Sequence, residues 1–171
     1  MSQIFQNIKL LNEHNFQSYG HVLNTDNNFN IINEGKSFKW NHLVPFNTFL
    51  SKEGHNIGIL RTELFDATIS KLERHRFTSQ LFYPISGKRS LVVVAKGSEK
   101  EIDMSKIEVF MMNGNQGVCF HPLTWHYQLI PIDGPTEYLT IMLKSDKPDI
   151  EYSNEFPPFT IEKKTILGKE V

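Results

Sequence analysis

The sequence predicts an all-β barrel or jelly roll. Three observations lead there: about ten short strand-like runs at close spacing, the lack of a long amphipathic helix, and the lack of a repeat of about 20–50 residues. The runs alternate or carry β-branched and aromatic residues, and Gly, Pro, Asn and Asp punctuate them.

In chain order, Ile4 to Leu10 alternates well enough for a first strand. Asn12 is a good N-cap for one short helix, with Gly20 a plausible stop after Phe16 and Tyr19. The Asn-rich stretch from Asn24 to Asn30 reads as loop. Phe29 to Asn33 and Phe38 to Val44 then read as two strands about a turn at Glu34-Gly35. A loop, with at most one helical turn, is expected from Asn47 to Asn56, followed by strands over Ile57 to Phe65, Ala67 to His75 and Gln80 to Ile85.

Leu91-Val-Val-Val-Ala95 does not alternate, so this strand should be covered on both faces. A polar loop follows from Lys96 to Asp103. Ile107 to Met112 fits a strand or a half-turn equally, because its periodicity favours neither. Gly117 to Phe120, Tyr127 to Ile132 and Glu137 to Leu143 complete the strands, with a hairpin turn at Asp133-Gly134-Pro135. The expected organisation is one barrel domain over 1–143 and an arm or tail of the same domain over 144–171, wrapping its own barrel or a neighbour's.

A chain of 171 residues fits one domain with a substantial core. Its 18 basic and 19 acidic residues give a net charge of −1, which offers no electrostatic basis for binding nucleic acid or an anionic membrane. Cys119 is the one cysteine, which excludes an intrachain disulfide and fits a reducing compartment. No run approaches the roughly 20 apolar residues of a membrane span, and the opening segment lacks the basic-then-apolar pattern of a signal peptide. A cytoplasmic protein is the expectation.

The chemistry-bearing residues gather in two stretches, Lys71–Gly87 and Asn113–His126. Glu73 and His75 are two apart, so on an extended chain they share a face. With Gln80 from the next strand and His121 from an opposing one, they offer imidazole nitrogens and carboxylate or amide oxygen to a divalent metal. The structural alternative is an interior His75 held by hydrogen bonds, with Glu73 paired to Arg74 or Arg76. Trp125 and His126 begin a strand, where a ring can stack on a substrate and an imidazole can move a proton, or where both simply close the barrel mouth. Arg61 lies mid-strand and suits a carboxylate ligand, or else pairs with Glu63 or Glu73. Cys119, between Val118 and Phe120, reads as core.

These stretches resemble the ureidoglycolate lyase family, a branch of the cupin-like barrels. The likeness is carried by Leu72-Glu-Arg-His75, Gln80, Phe82, Pro84, Gly87, Val92-Val-Val-Ala95, Asn113-Gly114, Gln116-Gly-Val118, His121 and Trp125-His126. It extends to Phe16, Tyr19 and Gly20 and to Glu137–Ile141. The resemblance implies a cupin-like double-stranded β-helix that forms a homodimer. It also implies an enzyme that splits (S)-ureidoglycolate into glyoxylate and urea in purine or allantoin nitrogen salvage.

A divalent ion such as nickel, or no cofactor, is implied with it, the metal set being His75, Gln80 and His121. Glu73 or His121 would act as base and His126 as proton donor, while Arg61, Gln80 and Trp125 would bind the substrate. The chain departs from the cupin pattern in having Glu73 where the first His stands and Gln80 where the Glu stands. It departs from the family at Phe120, Tyr127, Met142 and Leu143. Two alternatives remain open at this level: a lyase or isomerase for another small hydroxy acid, and a non-catalytic small-carboxylate-binding module.

Overall fold

A computed structural model of the chain describes residues 3–4, 7–26, 29–45, 54–63, 68–143 and 148–161. Most of the loop expected over 47–56, and residues 144–147 and 162–171 of the expected arm, lie outside the described residues. The strands are β1 (Gln3–Ile4), β2 (Ile8–Leu10), β3 (Gly20–Leu23), β4 (Asn30–Ile32), β5 (Ser37–Lys39), β6 (His55–Thr62), β7 (Thr68–Ile69), β8 (Glu73–His75) and β9 (Gln80–Pro84). They continue as β10 (Ser90–Ala95), β11 (Ile107–Met112), β12 (Gly117–Phe120), β13 (Trp125–His126), β14 (Ile130–Pro131), β15 (Thr136–Leu143), β16 (Ile150–Tyr152) and β17 (Phe159–Thr160).

The helix α1 is a single turn, Glu13–Phe16. Its start is fixed reciprocally: Asn15 N donates to Asn12 Oδ1 at 3.0 Å and Asn12 N donates to Asn15 Oδ1 at 3.1 Å. So short a helix has little stability of its own. It is held by Phe16, fully buried edge-on against Phe110 at 5.4 Å.

Two sheets face each other. One runs β16-β8-β13-β10-β11-β2, with β14 also on β10, and the other runs β3-β12-β9-β15-β6. Val22, Phe82, Val92, Val94, Phe110, Val118, Phe120 and Tyr138 interdigitate between them as the inner core. This is the predicted all-β, cupin-like jelly-roll architecture. A third, small sheet, β1-β17-β7, covers the outside of the first, with Leu91, Val93, Trp125, Phe156 and Phe159 in the outer core beneath it.

β10 explains why its sequence does not alternate. Val92 and Val94 point into the inner core while Leu91, Val93 and Ala95 point into the outer one, and all are buried. Burial of both faces requires a second covering layer, supplied here by β7 and the chain beyond Ser153. β11 settles the open reading of Ile107–Met112 as strand, paired along its whole length with β10.

Several expected strands are shorter or divided. The run Ala67 to His75 splits: Thr68–Ile69 joins the outer sheet and Glu73–His75 the inner one, because the chain passes between layers at Ser70-Lys71. Phe38 to Val44 is strand only through Lys39. Tyr127 to Ile132 is strand only at Ile130–Pro131, after a separate two-residue strand at Trp125–His126.

Beyond Leu143 the chain is tied back by specific contacts. β16 pairs antiparallel with β8, in the register Ile150↔His75, Glu151↔Arg74 and Tyr152↔Glu73. Arg74 donates from Nε to Glu151 Oε2 at 2.8 Å and from a terminal nitrogen to the Ser98 carbonyl at 2.8 Å, and its guanidinium lies 4.1 Å from the centre of the Trp125 ring. Leu72 N donates to Ser153 Oγ and Ser153 N to the Leu72 carbonyl. The turn between β11 and β12 demands glycine where it packs on the turn between β9 and β10: a Cβ on Gly114 would lie 1.9 Å from the carbonyl oxygen of Gly87, itself at φ +68°.

Phe159 is buried in the outer core, so Phe159→Ala should lower the unfolding free energy by about 3–5 kcal/mol, read from urea denaturation. A loss below about 1 kcal/mol would show that this segment does not close the outer core.

Candidate active site

The site is built by β13, which lies between β8 and β10. His126 is opposite Val94 on β10 and opposite Glu73 on β8, whereas Trp125 is opposite Ala95. Val94 points inward and Ala95 outward. His126 and Glu73 therefore project between the two sheets, and His75, two residues on from Glu73, does the same. One ligand-capable atom from each of Glu73, His75 and His126 lies within 4.8 Å of the others.

His126 is buried and sandwiched. The Phe120 ring stacks on it at 4.4 Å and 12°, and the His75 ring lies nearly parallel at 5.8 Å and 18°. Its Nδ1 is 2.8 Å from the Thr124 carbonyl, which can only accept, so Nδ1 carries the proton and Nε2 presents a lone pair. That Nε2 lies 3.8 Å from Glu73 Oε1 and has no hydrogen-bond partner among the described residues. Burial away from water disfavours the imidazolium and pulls the His126 pKa down to about 4, with the neighbouring His75 acting in the same direction. Glu73 moves the opposite way: burial raises its carboxyl pKa, with His75 opposing.

His75 is held from outside the inner core. Its Nδ1 is 3.0 Å from Asp149 Oδ2, which also accepts from Thr78 Oγ1 at 2.7 Å, while Asp149 Oδ1 accepts from Phe77 N at 2.8 Å. Gln80 sits two residues before the inward Phe82, on the same face of β9, and its buried Oε1 has no partner among the described residues. Buried polar atoms are nearly always paired, so an unsatisfied amide oxygen and an unsatisfied imidazole nitrogen mark a place for a ligand.

The donor set of the cluster fits a divalent cation in chemical type: two imidazoles and a carboxylate. Glu73, His75 and His126 are close enough together to hold one.

Three residues expected at the site lie elsewhere. His121 is on the outer side of the β3–β12 pair, where its ring meets His21 edge-on at 4.8 Å and its Nε2 is 3.4 Å from the Gln17 carbonyl. It lies outside the three-residue cluster because Pro122 and Leu123 turn the chain between it and His126, and Leu123 N donates to the His75 carbonyl. Trp125 is fully buried in the outer core, donates to the Glu99 carbonyl and lies beneath Arg74, so no face is open for stacking on a substrate. Arg61 is exposed on the edge strand β6, paired to Glu63 at 2.6 Å and to Glu137 at 3.4 Å. Its outward position follows from its register opposite Glu137.

Asp149 and Thr78 were not legible as site residues. Asp149 lies in a Lys-Pro-Asp stretch that reads as loop, and only the β16–β8 register brings it beside His75. The strand that carries it there, Ile150–Tyr152, is three residues long, too short for its sequence to announce the pairing.

Residues 3–162 match the model of the family described as Ureidoglycolate lyase. The curated ureidoglycolate lyase of Salmonella paratyphi B is 32% identical over 145 residues, covering 82% of this chain and 89% of the relative. That of Escherichia coli O1:K1 / APEC is 35% identical over 145 residues with the same coverage. That of Pseudomonas fluorescens is 30% identical over 137 residues, covering 78% and 81%.

The environment of His126 makes a direct prediction for metal-free protein. Its nitrogen shifts should titrate with a midpoint near pH 4, not near the ordinary 6.5. Because the unfolded chain takes up this proton at higher pH than the folded one, His126 costs stability as the pH falls from about 6.5 toward 4. His126→Phe should be less acid-sensitive over that window. A midpoint near 6.5 would mean that the ring is reached by water.

Proposed function

The chain belongs to the ureidoglycolate lyase family, and on that premise we propose that Glu73, His75, Gln80 and His126 form the centre at which it cleaves (S)-ureidoglycolate to glyoxylate and urea. The observation that carries this reading is the convergence of Glu73, His75 and His126 within 4.8 Å between the sheets, with His126 Nε2 and Gln80 Oε1 unpaired among the described residues.

Ureidoglycolate carries a carboxylate, a hydroxyl and a ureido nitrogen on one carbon. Cleavage removes the hydroxyl proton as the oxygen forms the new carbonyl, breaks the carbon–nitrogen bond, and returns a proton to the departing nitrogen. No nucleophile is consumed, so positioned acid and base groups suffice. Glu73 takes the hydroxyl proton. The same burial that raises its pKa lets it hold that proton until it reaches the ureido nitrogen.

His126 is kept neutral, so its Nε2 accepts rather than donates, which moves the donor role expected of it to Glu73. Gln80 bonds the ureido amide. The apolar walls, Phe82, Phe120 and Tyr138, exclude water from the exchange. A divalent cation such as nickel would be held by His75 and His126 with oxygen from Glu73 or Gln80, and when bound it supplies positive charge for the substrate's carboxylate and hydroxyl oxygens.

Several wider features accompany this reading. The reaction belongs to purine or allantoin nitrogen salvage. A homodimer is supported by Ile57 and Ile59, 68% and 67% exposed on β6 at the edge of its sheet. A reducing, cytoplasmic setting is supported by the lone buried Cys119. Residues 144–171 are read as part of the same domain, in keeping with the pairing of β16 and β17.

The test is urea release from (S)-ureidoglycolate, with and without added nickel. Wild type should turn over, and Glu73→Gln should lower kcat by about 10²–10⁴-fold while the fold is kept. Wild-type protein that releases no urea under either condition would overturn the assignment, and an unimpaired Glu73→Gln would remove Glu73 from its role.

A further inference from the structure

We propose that Asp149 is the positioning residue of this site: its carboxylate holds His75 in the Nδ1–H tautomer and so presents the Nε2 lone pair between the sheets, beside Glu73 and His126. The catalytic consequence rests on the proposed lyase reading. The tautomer itself does not.

The geometry is that of a built clamp. Asp149 is buried, and its two carboxylate oxygens accept three hydrogen bonds: from Phe77 N, from Thr78 Oγ1 and from His75 Nδ1. Its own carbonyl accepts from Arg76 N at 3.0 Å. Backbone and side chain of Asp149 are thus both fixed by the segment 76–78 that follows β8, and the carboxylate has no freedom to swing away from His75. A carboxylate is an acceptor only, so the hydrogen on the shared contact comes from the imidazole.

The same device appears at the neighbouring ring, where the Thr124 carbonyl takes the Nδ1 hydrogen of His126. Two nearly parallel imidazoles are therefore each pinned through Nδ1 by an acceptor, leaving Nε2 of both for a ligand. A purely structural aspartate would need only the Phe77 and Thr78 contacts that close the turn; the third, to the ring nitrogen, is the one a site requires.

Asp149→Asn separates these roles. An amide keeps one acceptor and gains two donor hydrogens. With its oxygen toward Phe77 N, its NH₂ faces His75 and forces Nδ1 to accept, which moves the ring hydrogen to Nε2. With the amide turned the other way, NH₂ opposes the Phe77 N–H. Thr78→Val removes one donor from the carboxylate without touching the ring and serves as the control.

The experiment is nitrogen-15 NMR of the His75 ring in metal-free full-length protein, with nickel titration by calorimetry and steady-state urea release alongside. Wild type and Thr78→Val should show Nδ1 protonated. Asp149→Asn should show the Nε2–H tautomer, about 10–100-fold weaker nickel binding, and a lower kcat with little change in KM. A wild-type His75 protonated on Nε2 would overturn the proposal even if Asp149→Asn fails to fold. So would an Asp149→Asn protein that keeps the wild-type tautomer and binds nickel within about twofold of wild type. Absence of urea release in wild type would count against the lyase reading alone, since the ring signals are read without turnover.

Discussion

The pairing of β13 with β8 on one side and β10 on the other is the constraint on which the site depends. Strand side chains alternate, so this register sends His126 between the sheets and Trp125 outward. A slip of one residue would place the indole among the site residues and the imidazole in the outer core. The large outer contacts of Trp125, with Arg74 stacked on its face and Glu99 accepting from its Nε1, make that slip costly. The outer core, remote from any chemistry, thus fixes the orientation of the inner residues.

The interior cluster is electrically economical. A charged imidazole in this apolar setting would be strongly disfavoured, and His126 is neutral with its one hydrogen given to Thr124. Burial works on Glu73 in the opposite sense and favours its protonated form. Burial thus acts on these neighbours in opposite senses, keeping the imidazole neutral and favouring a carboxyl group that retains its proton.

The chain beyond Leu143 joins three functions in one short stretch. Glu151 neutralises Arg74 over the Trp125 ring, Ser153 bridges to the backbone of Leu72, and Asp149 meets His75. Farther on, Phe156 and Phe159 close the outer core over β10. Packing and site geometry are consequently coupled: the strand that seals one layer also carries an acceptor for a ring in the next.

Much of this could be read from residue order. The unbroken apolar run Leu91–Ala95 implied cover on both faces, Asn12 marked the start of α1, and the two-residue spacing of Glu73 and His75 placed them on a common face. These are local consequences of strand alternation and backbone capping, which need no knowledge of distant partners.

What only the tertiary structure decided was which distant residues met them. His126 rather than His121 joins Glu73 and His75, because Leu123 takes a left-handed turn and donates to the His75 carbonyl, a contact invisible in the sequence. Asp149 reaches His75 through a three-residue strand 74 positions away. Arg61 faces outward because its neighbour in the sheet is Glu137. Alternation fixes which residues share a face of one strand; the register between strands, set by packing over the whole domain, decides where that face looks.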